Sequence, residues 1–240
     1  TMQKRILAAL LAAPMLGSGT ALAEDSPFSA NVSIVSDYAF RGISQTNQRP
    51  AIQGGFDYAH DSGFYVGVWA SNVSWLSDLD ARGSSLETNL YAGYATEIGP
   101  IGLDVGLLQY YYPGDFDSAW RAANGMKKPQ TLEGYVGVSW EFLSFTYSHA
   151  FTTLFGTENS KRSGYYDLSA SYEVMDGLTL DAHYGYQRIR GAGNSNYKDW
   201  KIGATYSYSG FDFGLHYVDT NIKHDRLADS RVILSVSRSF

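Results

Sequence analysis

The feature that most constrains this chain is an alternation of apolar and polar residues, which recurs from residue 31 to residue 240. Val136, Val138 and Trp140, for example, alternate with Tyr135 and Ser139. A period of two residues is typical of a β-strand with two different faces. Twelve such segments are present, and no stretch after residue 24 approaches the ~18 apolar residues that a membrane helix needs. The pattern therefore predicts an all-β chain.

Short and long connections alternate between the twelve segments. Short turns lie at residues 61–63, 97–100, 141, 175–177 and 208–210, and long loops at 42–50, 72–85, 112–130, 152–164, 188–197 and 219–230. Bacterial outer-membrane barrels have an even number of strands, short periplasmic turns and long extracellular loops. We therefore predict a transmembrane antiparallel up-and-down β-barrel of about twelve strands, with both termini periplasmic.

The two faces of the segments differ in a way that favours a membrane barrel over a soluble β-sandwich. Across the twelve apolar faces the only permanently charged residue is Arg238, at a position from which a long side chain reaches the interface. The opposite faces carry Gly, Ser, Thr, Tyr and Asp instead of the many Lys and Glu of a water-exposed sheet. Aromatic residues make up 15% of the chain, as expected where aromatic girdles mark the membrane interfaces.

Residues 1–23 have the parts of a secretory signal peptide. A short basic region at residues 4–5 precedes an apolar run at 6–16, and residues 21–23 fit the small-x-small rule for cleavage. We predict that the signal is removed and that the mature chain begins at Glu24.

Residues 24–240 are predicted to form a single barrel domain whose last strand ends on Phe240. A terminal aromatic residue with alternating apolar residues behind it resembles the assembly signal of bacterial outer-membrane proteins. Together with an export signal, this predicts the bacterial outer membrane as the location of the protein. Outer-membrane lipid and the barrel-assembly machinery are the expected partners.

Two neighbouring stretches carry a family resemblance. They are SDYAFRGISQT at residues 36–46 and RPAIQGGFDYAHDSGFYVGVWASNV at residues 49–73. These hairpins resemble the TorF-type family of proposed outer-membrane porins from Gram-negative bacteria, and a looser likeness extends over the mature chain. The resemblance implies an outer-membrane barrel with a pore. It implies no particular solute and no catalytic residue.

The inward faces carry charged residues that are the candidate pore lining. These candidates are Asp37, Arg41, Asp57, Glu87, Asp104, Glu133, Asp167, Asp181, His183, Asp199, Lys201, Asp212 and Arg231. The bases map to the half of the barrel next to the long loops, and the other half is predicted to contain only acids. A negative lumen concentrates cations, so we predict a narrow cation-favouring channel for small solutes or ions. An ion-pair network that fills the lumen near the bases is an equally good interpretation of those upper charges.

Glycines also recur on the inward faces, for example at positions 93 and 185. A residue without a side chain either leaves open space in the lumen or makes room for a neighbouring ring. Inward rings are expected at Tyr65 and Tyr165, among others. The pattern alone leaves both interpretations open.

Two other functions remain open from the sequence. One is a structural or adhesive barrel with a plugged lumen, and the other is an outer-membrane lipid hydrolase. The hydrolase is weakly supported, because Ser148 and His149 are strand neighbours that point to opposite faces, and no G-x-S-x-G motif occurs. No cofactor or metal is expected, since the chain has no cysteine and five scattered histidines. The net charge of −6 without a basic tract argues against nucleic acid as a partner.

Overall fold

A computed structural model describes residues 26–81, 84–191 and 195–240. The predicted signal peptide, residues 1–23, lies outside the described residues. Within them, twelve antiparallel strands form a closed barrel. The barrel strands are β1 (Phe28–Val35), β2 (Ala51–Ala59), β3 (Phe64–Asn72), β4 (Leu86–Ile98), β5 (Ile101–Tyr111), β6 (Thr131–Trp140), β7 (Leu143–Ala150), β8 (Gly164–Met175), β9 (Leu178–Arg188), β10 (Tyr197–Tyr208), β11 (Phe211–Thr220) and β12 (Arg231–Ser239).

Each barrel strand pairs with the next one along the chain, and the last pairs with the first. In that closing pair, Asn31 of β1 lies opposite Ser239 of β12, and Val35 lies opposite Ser235. Closure leaves no sheet edge with unpaired backbone groups, as a β-structure in lipid requires. The predicted fold class is therefore confirmed, including its strand number and its antiparallel order.

The barrel has a short-turn end and a long-loop end, as the connection lengths predict. β1 begins and β12 ends at the short-turn end. One of the long loops contains the helix α1 (Ser118–Asn124), whose first turn is capped by Asp117 accepting a hydrogen bond of 2.7 Å from the Trp120 backbone N–H. Nowhere in the described ranges is a helix long and apolar enough to cross a membrane.

The outer wall exposes a band of apolar side chains. Ile52 and Ile202 are 61% and 62% exposed, although both belong to regular, fully paired strands. Side chains of this kind need an apolar surrounding medium such as lipid. Arg238 lies on this wall at the short-turn end, with its guanidinium carbon 5.0 Å from the Phe211 ring and 5.1 Å from the Phe240 ring.

Arg238 is not the only charged residue on the outer wall. β9, β10 and β11 extend further toward the long-loop end than the sequence pattern indicated, and their outer faces there carry Arg188, Lys198 and Asp219. The alternation fades near strand ends because side chains there lie outside the apolar layer. The sequence count of one outward charge is therefore wrong at this end of the barrel.

The first long connection also differs from the prediction. β1 ends at Val35, and residues 36–50 fold into the barrel interior instead of continuing the wall. Tyr38 and Phe40, which the alternation assigns to the lipid face, lie inside, and Tyr38 is only 1% exposed. Apolar rings are buried equally well among the inward aromatic residues, so alternation alone does not distinguish lipid from the lumen.

Candidate functional site

The segment 36–50, here called the inward hairpin, blocks much of the lumen near the long-loop end. Its two-residue strands, Ala39–Phe40 and Ile43–Ser44, are joined by a turn at Arg41 and Gly42 with φ values of 48° and 81°. Positive φ at both central residues is the geometry of a type I′ hairpin turn. The turn places the Arg41 side chain at the tip of the hairpin.

Arg41 connects this tip to the opposite wall. Its Nη2 donates to Glu133 Oε2 at 2.7 Å, and its Nη1 donates to Glu133 Oε1 at 3.1 Å and to Gln187 at 2.7 Å. The guanidinium carbon also lies 4.2 Å from the centre of the Tyr165 ring, a cation–π distance. Burial alone would lower the pKa of Arg41, but Glu133 outweighs burial and holds the pKa above its ordinary value. Arg41 is therefore permanently charged, and both of its terminal nitrogens donate hydrogen bonds.

A second ion pair ties the base of the hairpin to β12. Arg231 Nε donates to Asp37 Oδ2 at 2.5 Å, and Arg231 Nη2 donates to the Gly42 carbonyl at 3.1 Å. Asp37 also accepts hydrogen bonds from Ser44 and Thr46 within the hairpin, at 2.5 and 3.0 Å. Asp37 and Arg41 are thus inward, as predicted, but they belong to the hairpin and not to a wall strand.

The third attachment of the hairpin is the buried carboxylate of Glu87. It accepts hydrogen bonds from the hydroxyls of Tyr38 and Tyr112, at 3.0 and 2.8 Å, and from the Asn89 amide at 2.8 Å. Burial and the neighbouring Glu87 carboxylate raise the pKa of both tyrosine hydroxyls, so they remain donors. The sequence pattern assigned Tyr38 to lipid and therefore missed its role here.

A cluster centred on His183 lies beside the hairpin on the inner faces of β8, β9 and β10. The Nδ1 of His183 lies 3.0 Å from Asp167, and its Nε2 lies 2.7 Å from Asp199. The Tyr165 hydroxyl donates to Asp199 at 3.1 Å, and Lys201 interacts electrostatically with Asp167. Unlike the buried Asp199, the Asp167 side chain is 19% exposed, so this cluster reaches from packed protein into solvent-accessible space.

The acids nearer the short-turn end are held by hydroxyl groups and a histidine. Asp57 accepts a hydrogen bond from Tyr91, Asp104 accepts one of 2.6 Å from Tyr65, and Asp212 accepts one of 2.5 Å from Ser207. Asp181 lies 3.3 Å from His216 and also interacts with Lys201. Lys201 on β10 lies opposite His183, one inward position nearer the long-loop end than Asp181. The half with acids alone therefore stays a prediction.

The inward glycines make room for inward rings. A Cβ at Gly93 would collide with the Tyr65 ring, and one at Gly185 would collide with the Tyr165 ring. In both cases the hydroxyl end of the ring lies over the glycine of a neighbouring strand. The sequence left two interpretations open, and at these positions the structure supports the one in which a glycine makes room for a neighbouring ring and does not leave open space in the lumen.

The residues considered for a lipid hydrolase do not form a catalytic pair. Ser148 is buried on the inner face, whereas His149 lies on the outer face with its Nδ1 2.9 Å from the Tyr147 hydroxyl. His60 Nδ1 contacts the Ser62 hydroxyl at 2.7 Å and accepts from the Ser62 backbone N–H at 3.1 Å, which caps a tight turn. Within the described part of the chain, no group of three metal-ligating side chains is placed to hold an ion.

Comparison with protein families gives one match. A family model described as "Bacterial protein of unknown function (Gcw_chp)" matches residues 21–240. The chain belongs to this family. A search among curated proteins found no match for this Gcw_chp member.

Several solved structures similar to this Gcw_chp protein are porins. A KdgM porin matches with a TM-score of 0.57 and 10% identity, covering 88% of this chain and 99% of that chain. A KdgM porin in complex with disordered oligogalacturonate matches with a TM-score of 0.53 and 9% identity, covering 89% of this chain and 98% of that chain. A NanC porin matches with a TM-score of 0.52 and 11% identity, also covering 89% of this chain and 98% of that chain. At such low identities the likeness shows a porin-like barrel fold. The narrower TorF-type resemblance stays a prediction.

Proposed function

We propose that this protein is a porin-like outer-membrane channel for small solutes or ions, with a preference for cations. The observation that carries the proposal is an accessible, charged strip along the inner faces of β8, β9 and β10. On β8 the inner side chains change from buried at Tyr165 to partly exposed at Asp167 and exposed at Ser171. In a twelve-stranded barrel, whose interior is wider than that of a filled eight-stranded one, such a strip suits a narrow aqueous passage.

The inward hairpin is the constriction of this passage. It packs against the inner faces of β4, β5 and β6 through Glu87, Tyr110 and Glu133. The tip of the hairpin also contacts Tyr165 on β8 and Gln187 on β9, so the interior is filled at that level. The space that remains for solute is the accessible part of the strip nearer the short-turn end, from Asp167 to Ser171. Because Arg41 and Arg231 are both engaged in ion pairs, we assign the upper charges mainly to a structural network and the strip to permeation.

The acids of the strip favour cations. Asp167 and Asp181 are 19% and 18% exposed. The described part of the strip contains one lysine, Lys201, and His183 and His216 each contact one of these acids. A low-dielectric wall around such groups focuses their field and raises the local concentration of counter-ions. The oligogalacturonate seen with a KdgM porin belongs to that protein; the carboxylates here favour solutes of the opposite charge.

The same fold supports the proposed membrane orientation. The exposed apolar band faces lipid, the long loops face the outside, and the two ends of the chain face the periplasm. Cleavage after Ala23 precedes assembly in this proposal. The mature protein should therefore begin at Glu24 and fractionate with outer membranes, and a periplasmic soluble protein would contradict the proposal.

A plugged structural barrel is the second candidate, and the buried hairpin is the observation that favours it. Single-channel recordings in planar bilayers separate the two functions. The test compares the wild type with a variant in which a short Gly/Ser linker replaces residues 37–48, since Val35 and Ala51 already lie opposite each other. We expect small cation-selective conductance in the wild type and larger conductance in the variant. Conductance in the variant alone would establish the plugged barrel, and lipid hydrolysis by the purified protein would favour the hydrolase.

A further inference from the structure

The long-loop end of the barrel carries an open cleft lined by basic side chains. It has a volume of about 840 Å³ and is lined by Lys161, Arg162, Arg188 and Arg190, with Asn159 and Asn196 at its edges. All four basic residues are exposed. The cleft therefore concentrates positive charge on one side of a protein whose overall charge is negative.

None of these four charges is neutralised by an ion pair within the described ranges. Glu158, an acid on the same loop as Lys161 and Arg162, is paired with Lys127 at 3.2 Å instead. Unpaired guanidinium groups that share a concave surface repel one another, so the free protein lacks a counter-charge at this place. An anionic ligand would supply it.

The cleft continues directly into the outer wall. Arg188 lies on the outer face of β9, opposite Gly164 of β8. One row further into the membrane, the rings of Tyr147 and Tyr166 lie 4.9 Å apart, and those of Tyr166 and Tyr186 lie 6.1 Å apart. The basic cleft thus begins where a belt of outward aromatic rings ends.

This order of groups matches the cross-section of a lipid surface. Aromatic rings suit the boundary between acyl chains and headgroups, and guanidinium groups bind phosphate through paired N–H donors. Lys198, on the outer face of β10 opposite Tyr186, adds a further cation beside the ring belt. A soluble anion would need the cleft but not the adjoining ring belt.

We propose that the cleft is a binding site for the phosphate groups of a lipid in the outer leaflet, with the acyl chains lying on the ring belt. The site is distinct from the channel interior. It rests on the proposed membrane location and orientation but not on conduction.

Native mass spectrometry of the folded protein in detergent tests this site, with diphosphorylated lipid A as the probe and its dephosphorylated form as the comparison. The variant R188Q/R190Q removes two guanidinium groups from the cleft. The control K128Q/K223Q removes the same charge from exposed positions outside it. We expect the cleft variant to bind the phosphorylated lipid at least about tenfold more weakly, and the control to bind it like the wild type.

Three results would overturn the site: equal lipid binding by the cleft variant and the wild type, equal loss in the control, or displacement of the lipid by inorganic phosphate at matched concentration. The last result would identify a soluble anion as the ligand. Gel mobility with and without heating confirms that each variant is a folded barrel. Lipid binding is measured by mass and does not depend on conductance. A protein that binds the lipid but does not conduct would therefore contradict the channel proposal and leave the lipid site standing.

Discussion

The guanidinium group of Arg41 and the carboxylate of Glu133 meet inside the barrel through two N–O contacts of 2.7 and 3.1 Å. The first residue lies at the tip of the inward hairpin and the second on β6, 92 residues later in the chain. Both are buried. A buried ion pair of this geometry holds its two elements in one register, because separating the two side chains would leave a buried charge without its ionic partner.

Replacing Arg41 with alanine should lower the free energy of unfolding by about 3–5 kcal/mol, because Glu133 then remains as an unpaired buried carboxylate. Urea unfolding in detergent, followed by tryptophan fluorescence, measures the change. The double variant R41M/E133L removes both charges and should recover most of the loss. An R41A barrel as stable as the wild type would show that the pair contributes nothing to holding the hairpin.

Neutralising the accessible acids should weaken cation preference. In the variant D167N/D181N, the reversal potential across a KCl gradient should move toward the anion side, and the shift should be larger at low salt because the screening length is longer there. D212N is the control, since Asp212 is only 6% exposed and is bonded to Ser207. An equal shift per charge in D212N would contradict a passage along β8–β10, as would no shift in D167N/D181N.

A methyl group at Gly93 should destabilise the barrel by about 1–3 kcal/mol. Its Cβ would lie 2.7 Å from the Val105 carbonyl oxygen and would collide with the ring of Tyr65. Gly137 provides a matched control on an inner face, because a Cβ there meets Thr146 at 3.4 Å and Asp104 at 3.7 Å, which are ordinary contacts. We expect G137A to change stability by less than about 1 kcal/mol. Equal urea midpoints for G93A and G137A would show that the absence of a side chain at Gly93 is not needed to accommodate the Tyr65 ring.

Removing the ring of Phe240 should slow assembly without changing the final fold. The backbone of Phe240 is paired with Ala30 through bonds of 2.8 and 3.1 Å that do not need the side chain, while the ring itself is 58% exposed. Pulse-labelling followed by gel mobility without heating gives the rate at which folded barrel forms. F211A is the control, since Phe211 lies at the same end and also packs under Arg238. If F240A and F211A assemble at the same rate, Phe240 is not the assembly signal.

The sequence by itself determined the wall of this barrel. Alternation along a strand assigns each side chain to one of two faces, and a register slip of one residue would turn every apolar side chain of β6, from Leu132 to Trp140, into the lumen. The short turns and long loops then predicted the order of the strands, because a short turn joins a strand to an antiparallel neighbour. Most of the inward charged residues were found in this way.

Only the tertiary structure decided how the lumen is filled. Tyr38 reads as lipid-facing in the alternation because an interior packed with rings and a lipid phase are both apolar, and one-dimensional periodicity does not separate them. The partners of Arg41, at Glu133 and Gln187, come from two strands far along the chain. Closure of the barrel brings these side chains together. Arg41 then pairs with Glu133 because a buried charge without a partner is costly. The basic cleft has the same origin, since Lys161 and Arg190 belong to different loops that meet at one rim.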